Sequence, residues 1–285
     1  MAYLFYLCTD FCYLRTMPIV TITSDWNLHD FYTGSLKGAI RSRCPNVEMI
    51  EITNQIRSFD VAQCAFVLRH TFTHFPKDSI HLMAVQSEPE SLIPMVIVYH
   101  RAHYFVGLND GRFSLLFDDP PAEATALPVV AEQRSFAALS LFPHAVAAIV
   151  AGDMKTGTKP CTLITESSGH PVYSAWEIVG RVVYIDSYGN AVTNINRSLF
   201  LKVFQMGAQD TPQKHSRSFE IFLRGPSTKL NGIAGSYDDV AAGKMLALFN
   251  SIDYLELAIN KANLAQIESI DTHTEVRIKF YERKR

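Results

Sequence analysis

Two short stretches of the sequence place polar groups where they could hold a ligand. The first is SDWNLHD, in which Asp25 and Asp30 flank a turn after a β-branched apolar run. An ionised carboxylate only accepts hydrogen bonds, so it suits a vicinal diol such as that of a ribose, which offers two hydroxyl donors. Asp30 could instead cap the helix that follows. The residues alone leave these two readings level. The second stretch is VVYIDSYGNAVTNI, where Asp186, Tyr188 and Asn190 follow a strand-like run and Gly189 permits a tight turn. Tyr188 could stack on a purine, and the Asn190 amide could read its edge. Taken alone, a plain hairpin turn is the better reading.

Other chemistries lack their motifs. There is no P-loop, GxGxxG, HExxH, GxSxG or paired CxxC. The five cysteines, Cys8, Cys12, Cys44, Cys64 and Cys161, are odd in number and scattered, which is no disulfide framework. Cys8 and Cys12 have no second ligand pair, so buried thiols in a reducing cytoplasm are expected rather than zinc. His70 and His74 lie four apart on a predicted helix, a metal-ligand spacing, but no third ligand accompanies them. The expectation is no metal and no cofactor.

Elements that alternate in type must position the two acidic stretches. IVTITS (Ile19–Ser24) reads as a buried strand, 31–42 as a helix and 47–53 as the next strand. Asp60 caps a predicted helix over 61–72, and 80–85 is a third strand. MVIVYH and HYFVGL form a predicted hairpin, and a further helix is expected over 142–151. A βαβαβ opening implies a parallel sheet covered by helices, with ligands at the carboxyl ends of its strands. The turn after Ser24 is such a place. The second half instead holds short strand-like runs, EIVGRVVYID, SFEIFL, YLELAI and TEVRIKFY, separated by turn residues, as in a small barrel or sandwich.

Composition bounds the classes. With 26 basic and 28 acidic residues the formal net charge is −2, without the basic footprint of a nucleic-acid binder. Hydrophobic residues at 48% and charged ones at 19% suit a globular chain with a sizeable core. No run approaches the roughly 20 apolar residues of a membrane span. The leading MAYLFYLCTDFCYLRT lacks the marks of a signal peptide. Regular patterning starts at Met17, so 1–16 is read as a non-native or disordered extension. The predicted organisation is an α/β domain over 17–155, a linker over 156–170 that includes TKPCT, and a barrel domain over 171–285.

In order and in register, five segments resemble one family: TITSDWNLHDFYTGSLKGAI, FDVAQCAFVLRHTFTHFPKDSIHLMAV, YFVGLNDG, VVYIDSYGNAVTNI and NGIAGSYDDVAAGKMLALFNSIDYLELAINKANLA. They are similar to the S-adenosylmethionine hydroxide adenosyltransferases, whose superfamily includes halogenases that make halo-adenosines. The resemblance implies an N-terminal α/β sandwich with a Rossmann-like parallel sheet, then a small C-terminal β-barrel. It implies a homotrimer, with S-adenosylmethionine between the first domain of one subunit and the second domain of its neighbour. Asp25 and Asp30 match the ribose-side acids. Asp186, Tyr188 and Asn190 match contacts to methionine and adenine, Ser251 a serine near the methionine carboxylate, and the backbone over Ile259–Lys261 a wall along the adenine.

The family chemistry implied is attack of water at the ribose 5′ carbon, giving adenosine and methionine. The residues that handle water in the family are an Asp and an Arg in one loop and a His in a later segment. Here the loop reads QSEPESLIPM, with Gln86 in place of the Asp and no Arg at the expected spacing. The later segment, RSFAALSLFPHA from Arg134, has Ala137 in place of the His. Glu88 could replace the base and Arg101 could supply charge, although an exposed loop acid and a solvated turn residue are the plainer readings. The long insertion of the fluoride-using members is absent between Ser91 and Tyr104, which disfavours a halogenase. An S-adenosylmethionine hydrolase-like enzyme is the leading expectation. The rival is a degenerate member that binds S-adenosylmethionine or adenosine without turnover.

Overall fold

The computed structural model describes residues 17–90, 92–121, 123–128, 136–153, 158–166, 169–206, 217–225 and 228–282. The leading extension with Cys8 and Cys12, Arg134, and residues 156, 157, 167 and 168 of the expected linker lie outside the described residues. The elements begin β1 (Ile19–Ser24), α1 (Tyr32–Arg43), β2 (Glu48–Thr53), α2 (Val61–Arg69), β3 (Ile80–Ala84), β4 (Met95–His100), β5 (His103–Leu108), α3 (Arg112–Leu116), β6 (Glu123–Ala126) and α4 (Ala138–Ala151). They continue as β7 (Lys159–Thr162), β8 (Val172–Tyr173), β9 (Glu177–Ile185), β10 (Ala191–Asn196), α5 (Arg197–Met206), β11 (Arg217–Leu223), β12 (Thr228–Leu230), β13 (Met245–Phe249), β14 (Tyr254–Ile259), α6 (Leu264–Ile267) and β15 (Glu275–Glu282).

The described residues form two compact units. The first takes the chain up to Gln55, His74–Leu108 and Glu123–Thr162; the second takes Ile56–Thr73, Asn109–Ala122 and the chain from Leu163 onward.

The first unit is a mixed α/β layer built on a seven-stranded sheet ordered β2-β1-β3-β5-β4-β6-β7. It is parallel through β2, β1, β3 and β5, and antiparallel beyond. Continuous burial along β1 explains its unbroken β-branched run. Val20, Ile22 and Leu82 face a core closed by Leu36 and Ile40 of α1 and by Phe142 and Val146 of α4. The Leu36–Ile40 spacing is what puts one face of α1 on the sheet. On β1, β3 and β5 a polar row is also buried: Thr21 Oγ1 lies 2.7 Å from His81 Nδ1, and His81 Nε2 lies 3.1 Å from His103 Nδ1.

The second unit is a nearly closed, barrel-like sheet ordered β12-β11-β15-β9-β10-β14-β13, with β8 beside β9. β15 shows why it curls around a core: Val276, Ile278 and Phe280 are buried while Glu275 and Lys279 are exposed. The inward set meets Ile178, Val182 and Leu257.

Several expectations need correction. The TKPCT segment, expected as linker, contains β7, paired antiparallel with β6. β7 is the last strand of its sheet, and an edge strand tolerates Pro160 because only one side needs ladder donors. The helix expected over 142–151 begins at Ala138, with Pro143 inside it and Leu141, Phe142 and Ala145 holding it to the core. The helix expected over 61–72 stops at Arg69, and Phe72–His74 form a separate short turn of 3₁₀ helix. His70 and His74 therefore do not share a helix face. The strand-rich second half also contains α5, whose first turn is capped by Asn196 accepting from Leu199 N–H at 2.8 Å. Among the described residues no helix is long and apolar enough to cross a membrane.

Candidate functional site

In the first unit the sheet delivers its loops to one edge. β1, β3 and β5 run parallel, so Ser24, Ala84 and Leu108 end together, and the loop from β3 to β4 starts there. Asp25 follows β1 directly and is half-buried. Its turn is fixed from β2: Ser24 Oγ donates to Asn54 Oδ1 at 2.7 Å, and Asn27 N–H donates to Asn54 O at 2.8 Å. Trp26 points inward, its ring 5.2 Å from Phe136 and 6.2 Å from Tyr32. A buried tryptophan beside Asp25 anchors the turn against rotation.

Asp30 is exposed. The residue at the cap of α1 is Phe31, with no side-chain hydrogen bond there, so Asp30 is not the helix cap that the sequence allowed.

Glu88 is exposed on the loop after β3, yet it is tied down. Both carboxylate oxygens accept from Ala137 N–H, at 3.1 and 3.2 Å. Ala137 opens α4 and has no capping side chain of its own, so Glu88 supplies the negative group that a helix N-terminus favours. The contact joins the two segments that the sequence reading singled out for lost water-handling residues, around Gln86 and Ala137. Arg101 is elsewhere. It sits in the two-residue turn between β4 and β5 with φ +50°, next to Ala102 at +62°. That turn precedes β5, so it lies at the opposite end of the strand from Leu108, about 17 Å away at strand rise. Arg101 cannot supply charge to the carboxyl-end site of its own unit.

In the second unit, Asp186, Tyr188, Asn190, Ile259 and Lys261 line one cavity of about 620 Å³. Asp186 follows β9 and shapes the turn into β10. Its Oδ1 accepts from Tyr188 N–H at 2.9 Å and Asn190 N–H at 2.8 Å, and its Oδ2 accepts from the Asn190 amide at 3.0 Å. The hairpin-turn reading is thus correct for Asp186, and the same turn forms the cavity wall. The turn holds Asn190 nearly buried and leaves Tyr188 77% exposed, with its ring open to a ligand. Gly189 has φ +82°, and a Cβ there would lie 2.1 Å from Asn263 Oδ1. Only glycine fits.

Ile259 ends β14, and Lys261 follows in a left-handed conformation at φ +59°. Asn260 between them is clamped: its amide donates to Val240 O at 2.7 Å, and its carbonyl accepts from Gly243 N–H at 2.8 Å. Asn260, within the Ile259–Lys261 backbone that the resemblance sets along the adenine, also lines the cavity; Tyr237 and Ala262 line it too and were not singled out from the sequence. Their only signal was their place within the 231–265 segment. Tyr237 donates to Glu256 at 2.6 Å, and Glu256 also accepts from the Asn250 amide at 3.1 Å. Burial and then the Glu256 carboxylate push the Tyr237 phenol well above its ordinary pKa, so it stays a donor. Ser251 is exposed in the turn between β13 and β14, at the opposite end of β14 from Ile259, and does not line this cavity.

Among the described residues no cluster of three or more His, Cys, Asp or Glu is arranged to hold a metal ion. Cys44 and Cys64 are buried thiols, and Cys161 is half-buried.

Known proteins share this pattern. Family models described as the SAM hydroxide adenosyltransferase N-terminal and C-terminal domains match residues 20–158 and 180–277. The chain is similar to the (R)-S-adenosyl-L-methionine hydrolase of Methanocaldococcus jannaschii, with 22% identity over 92% of this chain and 96% of that protein. The protein of the same name from Thermus thermophilus is 22% identical over 92% of this chain and 100% of its own length. Among solved structures, an uncharacterised conserved protein of Thermotoga maritima superposes with TM-score 0.76 at 23% identity, covering 92% of this chain and 99% of that one. A conserved hypothetical protein of Thermus thermophilus gives TM-score 0.68 at 20% identity, covering 92% and 100%. These likenesses extend the fold match across both units.

Proposed function

The chain belongs to the S-adenosylmethionine hydroxide adenosyltransferase family, and on that premise we propose that it binds S-adenosylmethionine and hydrolyses it to adenosine and methionine. The observation that carries most weight is the convergence of Asp186, Tyr188, Asn190, Ile259 and Lys261 on one cavity. In this reading the open Tyr188 ring covers the purine and Asn190 meets its edge. Asp25 and Asp30 accept hydrogen bonds from the ribose hydroxyls.

The reaction is a displacement at the ribose 5′ carbon. A water oxygen forms a bond to that carbon as the carbon–sulfur bond breaks. The bonding pair goes to sulfur, which leaves as the neutral thioether of methionine, and the water proton passes to Glu88 or to solvent. The sulfonium loses its charge on leaving, so no acid has to assist it. The protein's work is to align the water and remove its solvent shell. Halide is not the nucleophile in this reading.

One observation favours a second reading, in which the chain binds S-adenosylmethionine or adenosine without turnover. The Glu88 carboxylate is already engaged by Ala137 N–H on both oxygens. Incubation with S-adenosylmethionine, with adenosine followed by chromatography beside a calorimetric titration, separates the two. Product formation supports hydrolysis; binding without product supports the second reading; a flat titration removes both. The assembly that goes with this function is a cytoplasmic homotrimer, which sedimentation would test by mass.

A further inference from the structure

The second unit holds another cavity, of about 660 Å³, lined by none of the residues assigned above. Three cationic side chains line it: Arg69, Arg181 and Lys202. Two acids line it as well, and both are committed. Asp118 pairs with Arg69. Asp60 caps α2 by accepting from Gln63 N–H at 2.8 Å. Among the described residues no carboxylate pairs with Arg181 or Lys202. The Arg181 Nε is buried with no hydrogen-bond partner among the described residues. Lys202 Nζ donates to the Tyr173 hydroxyl at 2.7 Å, its one hydrogen bond among the described residues, and lies 4.8 Å from that ring's centroid. The floor beneath Arg181 is fixed, because its backbone N–H donates to Asn194 Oδ1 at 2.8 Å and the Asn194 amide donates to Gly169 O at 2.6 Å.

Two cations with which no described carboxylate pairs, one with a buried donor, form an incomplete electrostatic arrangement that an anion would complete. A planar guanidinium and a point-charge ammonium lining one cavity suit the oxygens of a phosphate dianion. The volume is within the range of small-molecule sites and exceeds the need of a bare ion, and Phe66 and Tyr254 provide apolar wall. We propose that this cavity binds a small phosphomonoester, its phosphate held by Arg181 and Lys202 and its organic part lying along Phe66 and Tyr254. The site is separate from the adenosine cavity and does not depend on the function proposed for it.

The test titrates the full chain by calorimetry with ribose 5-phosphate, inorganic phosphate and uncharged ribose. The ester should bind, inorganic phosphate should bind more weakly, and ribose should give no heat at this site. Arg181→Gln and Lys202→Gln should each weaken the ester by roughly tenfold or more, since each removes a charge-assisted contact. Adenosine affinity and the melting temperature should stay at their wild-type values. Lys202 is exposed, so its variant reads binding without risk to the fold. Equal affinity for phosphate and ester would overturn the organic subsite. No heat from either phosphate compound, or ester binding unchanged in both variants, would overturn the site itself.

Discussion

Gly189→Ala tests whether the Asp186 turn is the rigid wall of the cavity proposed to hold adenosine. Two costs are built into the position. The backbone sits at φ +82°, where a side chain is strained by about 1–2 kcal/mol. The new Cβ would also lie 2.1 Å from Asn263 Oδ1. Asn263 cannot simply rotate away, because that oxygen caps α6 by accepting from Gln266 N–H at 2.8 Å. Losing a cap costs roughly 1 kcal/mol more. The expected total is about 2–3 kcal/mol, read as a shift in the guanidinium unfolding midpoint at unchanged slope. Gly152→Ala is the matched control: Gly152 has φ +69° and no atom within 4 Å of its would-be Cβ, so only the backbone strain applies. Because the turn carries Tyr188 and Asn190, Gly189→Ala should also weaken adenosine binding by calorimetry, and Gly152→Ala should not. Equal stability losses in the two variants, or full adenosine affinity in Gly189→Ala, would refute the reasoning.

Three further outcomes are expected. Asp25→Ala should weaken adenosine binding by about 1.5–3 kcal/mol, roughly 10- to 150-fold, because the ribose hydroxyls would lose a carboxylate acceptor; unchanged affinity by calorimetry would remove that assignment. Glu88→Gln keeps an oxygen for Ala137 N–H but loses the proposed base and the negative charge at the α4 N-terminus, so it should lower turnover and cost about 0.3–1 kcal/mol of stability, whereas Glu88→Ala should cost about 1 kcal/mol or more by losing the cap as well; equal turnover in wild type and Glu88→Gln would show that Glu88 is not the base. Acidification should weaken the fold through two histidines. Burial, then His103, holds His81 at about 3, and burial, then Arg69, holds His70 at about 4, both from 6.5. Between the folded and unfolded values the unfolded chain binds more protons, so stability is full above about pH 6.5 and falls as pH drops toward the folded values, by at most about 1.4 kcal/mol per unit for each histidine. Denaturant melts from pH 7 to 5 should show this slope, and His70→Leu should reduce it; an unchanged profile would contradict the buried neutral state.

Local pattern was the most legible feature. β1, β4, β5 and β14 were readable to the residue, because continuous burial or a two-residue turn leaves a plain period in the chain. The Asp60 cap was equally plain, since its partner Gln63 is three residues on. The less legible elements were those whose stability comes from distant contacts. β7 exists because β6 offers an edge, although Pro160 makes its own sequence look like a linker. α4 runs through Pro143 because Leu141, Phe142 and Ala145 are buried against the sheet. α5 was missed inside a region of short strands.

The same division holds for the candidate site. Residue types and spacing singled out the acids at Asp25 and Asp30 and the Asp186–Asn190 turn, because both follow strands and carry their chemistry within a few residues. The chain order of five segments identified the family. Tertiary structure decided which of these residues meet. Ile259 and Lys261 reach the Asp186 turn through the pairing of β14 with β10, while Ser251 lies at the other end of the same strand. It also decided that Glu88 caps α4 and that Arg101 faces the opposite sheet edge. The physical reason is that spacing along a chain fixes only near neighbours, whereas strand direction and register fix which distant side chains share a cavity.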